Sequence, residues 1–375
     1  MEIRYSRKLL IKASLLLVIF LLGGLAAGGC TGVSVPRGWS GGTMADDTLV
    51  VASMAGELVA VNVSDGSRLW VVTLESSVPA SGGFGCAPSS RKVAVYGSPA
   101  VVGDLVYVGG YDGKIYAFGF GKSEWEWEYP RRDVLGPVVG GLVVIQDSVY
   151  FGSSDGKVYA LEAEGLFDKW VFDEAGDKIW STPVISGDTL FIGSFDRKLY
   201  ALDTANGSLK WEFETEGAIV STPMVSNNTV YFGSFDRNLY AVDATDSNLK
   251  WKFLAENWFW AKPVIYDGVI YAGSLDGRVY ALDAVNGNKL VEFDLGSPVS
   301  SDPVVAGNSI IVATEDGVVY ALDTGDNQKR QLVDLEEKVY SPLTVSQGIV
   351  YIHTAQDALY AVDARSGARR EFSIK

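Results

Sequence analysis

The stretch SFDRKLYALDTANGSLKWEF occupies residues 194–213, and SFDRNLYAVDATDSNLKWKF occupies residues 234–253, 40 residues further on. A phrase said twice is either a duplicated site or a duplicated structural unit, and the number of copies separates the two. The aromatic-Ala core returns at Tyr116-Ala117, Tyr159-Ala160, Tyr200-Ala201, Tyr240-Ala241, Tyr280-Ala281, Tyr320-Ala321 and Tyr360-Ala361, with a weaker copy at Val59-Ala60. The tyrosines fall every 40 residues from Tyr200 onward; the steps before that are 43 and 41, and the first is stretched to 57. Eight copies fill the chain from about Ser40 to its end, so the unit is structural.

Each copy holds a short β-branched and aromatic run such as Leu190-Phe191-Ile192, a Ser-x-Asp-Gly turn as at 274–277, a Tyr-Ala-Leu-Asp run, a Gly- or Asn-containing turn, and Leu-Lys-Trp-x-Phe. An extended Thr-Pro-Val precedes it, as at 182–184. That pattern predicts four strands joined by tight hairpins, with no helical period anywhere in the repeats. Eight antiparallel units of this kind predict an all-β chain, an eight-bladed β-propeller closed into a ring that leaves no long open edge. A solenoid of hairpins would instead want a polar capping repeat, and the last copy, through Phe372, is an ordinary one.

At Ala201-x-Asp203-x-x-Asn206-Gly207-x-x-x-Trp211 the chain resembles the PQQ-like, quinoprotein-type β-propeller repeat family. The copies at 60–70 and 241–251 keep much of the pattern, while those at 117–127 and 160–170 keep its ends. The resemblance implies that Trp70, Trp127, Trp170, Trp211 and Trp251 dock between blades, each on the Gly-containing turn of the next. A large flat ring with one N–H donor suits such a gap. The last three copies carry Val291, Gln331 and Glu371 in its place and need other packing.

The N-terminus reads as a secretory signal: Arg4, Arg7, Lys8 and Lys12, then an apolar run over 13–27, then Gly28-Gly29-Cys30. The run is short for a membrane span of roughly 20 residues. Small residues directly before a Cys resemble the bacterial lipoprotein box, which implies a signal peptide at 1–29, acylated Cys30, a short tether at 30–39 and the propeller at 40–375. An uncleaved anchor and an ordinary secretory cut near Ala27 are the alternatives. All three deliver the propeller outside a bacterial cytoplasmic membrane. Loss of residues 1–29 takes the net charge from −15 to −18, which disfavours nucleic acid and anionic lipid as partners. With Cys30 acylated, Cys86 has no disulfide partner; it lies in a Gly/Ser/Pro-rich loop over 76–91.

Catalytic constellations are not found in the sequence. Quinoprotein dehydrogenases use PQQ with calcium, an adjacent cysteine pair and an Asp base; this chain has no adjacent cysteines. Asp155, Asp196, Asp236, Asp276 and Asp316 recur at one turn position, where Asp bonds its own backbone. The single His353 stands in a strand where other copies have Gly193, Gly233 and Gly273, and no orienting partner is evident. The expectation is a chain without catalytic, metal or cofactor residues, with a small-molecule-binding or PQQ-dependent oxidoreductase propeller as the alternative.

What the repeat does not explain sits in copies four to six. Phe195 and Arg197, and Phe235 and Arg237, occupy a turn where other copies have Gly113, Gly156, Gly277 and Gly317. The segment before copy six carries Trp258, Phe259 and Trp260, and Trp180 has the corresponding place before copy four. Arg with aromatics is the composition of binding hot spots. Phe195, Arg197, Phe235, Arg237, Trp258 and Phe259 are therefore the expected protein-binding residues, with Arg197, Arg237, Trp258 and Phe259 exposed and Trp180 and Trp260 packed. Among lipid-anchored propellers the chain resembles the BamB-like class. That likeness implies a monomeric, non-enzymatic scaffold in the cell envelope, with β-barrel assembly machinery as a partner. Chains of that class complete their last blade with an N-terminal strand; here residues 369–374 finish the last blade themselves.

Overall fold

The computed structural model describes residues 38–76, 91–121 and 125–374 of the 375-residue chain. The readings on residues 1–30 and on Cys86 fall outside them. One compact unit runs over Pro36–Lys375. Among the described residues it holds eight four-stranded antiparallel sheets, blades 1 to 8 in chain order, and a two-stranded ribbon pairing Glu75–Ser76 with Arg91–Lys92. Blade 5 shows the plan: Met224–Ser226, Thr229–Gly233, Asn238–Asp243 and Leu249–Leu254, hydrogen-bonded in that order. The innermost strand of blade 1, Gly42–Ala45, lies beside those of both blade 2 and blade 8, so the sheets close into a ring.

Sequence pattern follows position in the blade. The two middle strands are covered on both faces by neighbouring blades, which is why they read as continuous apolar runs such as TVYFG and LYAV. The outermost strand alternates. In Leu209–Glu214 the Trp and Phe turn toward the next blade while Lys210, Glu212 and Glu214 face water.

Tryptophan joins the blades where the register places it opposite the repeat alanine. Ala160 faces Trp170, Ala201 faces Trp211, and Ala241 faces Trp251. The indole N–H groups donate into the next blade, to Thr204 O (2.9 Å), Ala244 O (3.0 Å) and Ala284 O (3.0 Å). A Cβ on Gly207 would sit 2.5 Å from the Trp170 ring, and one on Gly287 2.6 Å from Trp251, so only glycine lets those rings lie flat on the turn. The turn under Trp211 carries Ser247 at that position instead, and Trp211 stays half exposed. Trp70 meets Phe120 edge-on at 6.4 Å, and Trp127 packs on the cluster of Tyr107, Leu161 and Leu166.

The last three blades are sealed by side chains other than tryptophan, as expected, but in two of them the residue in its place is not the one the sequence suggests. Val291 does face Ala281 and packs toward Ile310 and Val312 of blade 7. In blade 7, however, the one-residue bulge moves to a new place, so Arg330 rather than Gln331 lies opposite Ala321; in blade 8 Arg370 rather than Glu371 lies opposite Ala361. Arg330 donates to Arg365 O of blade 8 at 2.8 Å, and Arg370 donates to Ser64 O and Asp65 O of blade 1 while covering Phe372 at 5.1 Å. Arginine thus occupies the tryptophan's position at two junctions. Blade 8 is completed by its own strand, Arg369–Phe372, and among the described residues no strand is exchanged with blade 1. The ring closes by packing: Leu49, Val51, Val59 and Val61 against Tyr351, Leu359 and Phe372.

Candidate binding face

One face of the ring carries both the middle hairpin turn of each blade and the segment leading into its innermost strand. They are tied together by Phe195 N to Lys178 O, Phe235 N to Ala218 O and Leu275 N to Trp258 O, at 3.0, 2.9 and 2.9 Å. The repeated aspartates build these turns. Asp155, Asp196, Asp236 and Asp276 each accept the backbone N–H two residues on through Oδ1, and a tyrosine hydroxyl through Oδ2: Tyr159, Tyr200, Tyr240 and Tyr280, at 2.6–2.8 Å. Asp316 accepts the Thr314 hydroxyl. Burial, and then the carboxylate beside them, push the four phenols well above the ordinary tyrosine range, so they remain donors.

Arg197 and Arg237 stand at φ 77° and 75°, where their counterparts Gly113, Gly156, Gly277 and Gly317 lie at 80–97°. Both are exposed; Arg197 pairs with Glu214 at 3.0 Å, and among the described residues the Arg237 guanidinium has no carboxylate partner. Holding a residue that carries a Cβ in the left-handed region costs about 1 kcal/mol or more, while a surface ion pair contributes under about 1 kcal/mol. Arg197→Gly with Arg237→Gly is therefore expected to leave the unfolding free energy unchanged or higher. A fall of more than about 1 kcal/mol in denaturant melts would show that the guanidinium groups hold the turns.

Around these arginines the aromatic rings form one connected run over blades 4 to 6. Trp180 meets Phe195 edge-on at 4.8 Å, and Phe195 meets Phe235 at 6.1 Å. Phe235 stacks on Trp258 at 4.3 Å with planes 10° apart, and on Trp260 at 5.7 Å. Lys178 lies over both Trp180 and Phe195, at 4.9 and 4.5 Å. All five rings are half-buried. Trp258 is thus covered on one face by Phe235 rather than freely exposed.

Phe259 does not join them. Its side chain is fully buried, against Gly233 and edge-on to Tyr280 at 6.0 Å. The expectation that it is exposed is corrected. Ile179, Ile219, Val299 and Val339 hold the same repeat position and are equally buried, so this residue is the apolar plug of each blade. Reading the 40-residue register at this position would have found it. His353 also does more than fill space: its two ring nitrogens reach Ser40 O and Asp357, each at 3.0 Å. Burial pushes the Asp302 carboxyl above the ordinary carboxylate range, opposed by the Lys262 N–H that it accepts at 2.8 Å.

The sequence model described as outer membrane protein assembly factor BamB matches residues 31–170, 167–258 and 255–331. No curated protein matches the chain. The crystal structure of BamB from Moraxella catarrhalis superposes with a TM-score of 0.70 at 20% identity, over 85% of this chain and 95% of that one. The crystal structure of the computationally designed Ika8 protein superposes with a TM-score of 0.71 at 14% identity, over 90% and 96%. At these identities the two structures speak for the fold.

Proposed function

This chain belongs to the outer membrane protein assembly factor BamB family, and from that premise we propose that it is a protein-binding propeller of the bacterial envelope. Its binding patch is the aromatic run of blades 4 to 6 with Arg197 and Arg237. The carrying observation is the stack of Trp258 on Phe235: two large half-buried rings, continuous with Phe195, Trp180 and Trp260, in a segment whose turn also carries the exposed Arg237. The role is a scaffold without chemistry of its own. Its partner is an envelope protein, with β-barrel assembly components the first to test. Lipid on Cys30 is the proposed anchor, and incorporation of labelled palmitate, abolished in Cys30→Ser, checks it.

Trp258→Ala tests the patch. The ring is half-buried, so the loss of stability is expected to be under about 2 kcal/mol, below the range for a fully buried ring. Partner binding should weaken by roughly 2 kcal/mol or more, as for an interface hot spot. Pull-down from solubilised envelopes beside circular-dichroism melts separates the two quantities. A large drop in melting temperature with undiminished partner recovery would reject the patch.

A further inference from the structure

Each blade ends on an outer strand whose far edge pairs with no other strand among the described residues. Such a row of free N–H and C=O groups is a template for another strand, and natural edges are guarded by charge. Here the guard stands opposite the repeat tyrosine. Glu128 faces Tyr116, Glu212 faces Tyr200, Lys252 faces Tyr240, Glu292 faces Tyr280 and Glu371 faces Tyr360. In blades 3 and 7 the place is held by Val171 and Gln331, in strands that carry Asp168 with Lys169, and Lys329 with Asp334.

The outer strand of blade 1, Arg68–Thr73, reads RLWVVT, and there Val71 faces Val59. Leu69 is 50% and Val71 39% exposed, while Trp70 and Val72 pack toward blade 2. No charge stands among the outward residues Leu69, Val71 and Thr73. The stretch opens on Arg68 and is followed at its other end by Glu75; both are exposed, and neither has an ion-pair partner among the described residues.

We propose that this edge pairs with the same edge of a second copy of the chain, antiparallel and across a two-fold axis. Val71 opposite Val71 sets Leu69 against Thr73 at both ends of the pairing, and brings each Arg68 within one residue of the other copy's Glu75. The strand is thus complementary to itself in apolar surface and in charge. In blades 4, 5 and 6 the same register would set Glu212, Lys252 or Glu292 against its own like charge, which is destabilising. A net charge of −15 holds two copies apart elsewhere, so a strand that presents no carboxylate is where they meet. Because one surface is used on both sides, the pairing closes at two copies.

Blade 1 stands across the ring from blade 5, four blades away in either direction, so the aromatic run of blades 4 to 6 stays free in both copies. A dimer carries two such patches and holds a two-site partner by both. That consequence rests on the proposed patch; the pairing itself does not. Where the likeness to BamB-like chains implies a monomer, the uncharged edge of blade 1 makes this chain a dimer.

Cross-linking tests the register. In the full chain carrying Cys30→Ser and Cys86→Ser, Val71→Cys is expected to be joined to a second copy by a short bis-maleimide reagent. Val171→Cys, at the same repeat position of blade 3 and 43% exposed, should give at least tenfold less. Sedimentation of the detergent-solubilised chain should show a dimer that Val71→Lys weakens at least tenfold. The melting temperature of that variant should not change, since blade 5 already carries Lys252 at this position. Backbone amides of 68–73 should gain at least tenfold protection from exchange as protein concentration rises. Trp258→Ala should leave the dimer intact, so a failed patch and a failed pairing read differently. Equal cross-linking at the two positions, a chain that sediments as a monomer at every concentration, or edge amides already protected in the monomer by another segment of the chain overturns the pairing.

Discussion

Trp251→Ala is expected to cost about 3–5 kcal/mol of unfolding free energy, the range for truncating a buried aromatic ring. The ring is 7% exposed, lies flat on the Gly287 turn of blade 6 and fills the gap between two blades. Its polar atom matters less than its volume. Ala284 O accepts both the Trp251 indole and the Tyr231 hydroxyl, at 3.0 Å each, so Trp251→Phe leaves that carbonyl a partner. At the preceding junction Phe191 stands where Tyr231 does, and Ala244 O has the Trp211 N–H without a tyrosine beside it. Trp211→Phe should therefore exceed Trp251→Phe in its hydrogen-bond cost by about 1 kcal/mol. Denaturant melts of the three variants measure this. Equal costs for the two Phe variants would mean that the shared acceptor contributes nothing.

The second large effect is Phe259→Ala, also expected to cost about 3–5 kcal/mol, beside the much smaller loss for its neighbour Trp258→Ala. The two residues are adjacent in sequence and opposite in environment. Phe259 has no exposed surface and packs among Leu239, Ile270 and Tyr280, whereas Trp258 is half-buried and stacks on Phe235. Chemical denaturation of both variants checks the contrast. If Trp258→Ala proved as destabilising as Phe259→Ala, the ring would belong to the core and the binding patch would shrink to Phe195, Phe235 and the arginines.

Much of this was legible in the chain itself. The 40-residue spacing of Tyr200, Tyr240, Tyr280, Tyr320 and Tyr360 states the blade number, because each copy is one unit that cannot bury its own faces. The Asp of each turn and the glycines that alternate with Arg197 and Arg237 are local signals, read from a few neighbouring residues, and the geometry follows them closely.

Three features were decided only when the blades met. Phe259 reads as a member of an aromatic exposed loop, yet its direction is set by contact with Gly233 and Tyr280, residues that the ring brings beside it. Arg330 and Arg370 take the tryptophan position because the bulge shifts in blade 7 and is missing between the paired strands of blade 8; in a strand a one-residue slip exchanges the side chain that faces the next blade for one that faces water. His353 acquires its partner Ser40 from 313 residues away, through ring closure alone. Strand period, turn type and copy number are encoded over stretches of a few residues, so the sequence determined them. Which side chain meets which depends on how finished blades dock against one another, and only the tertiary structure carries that.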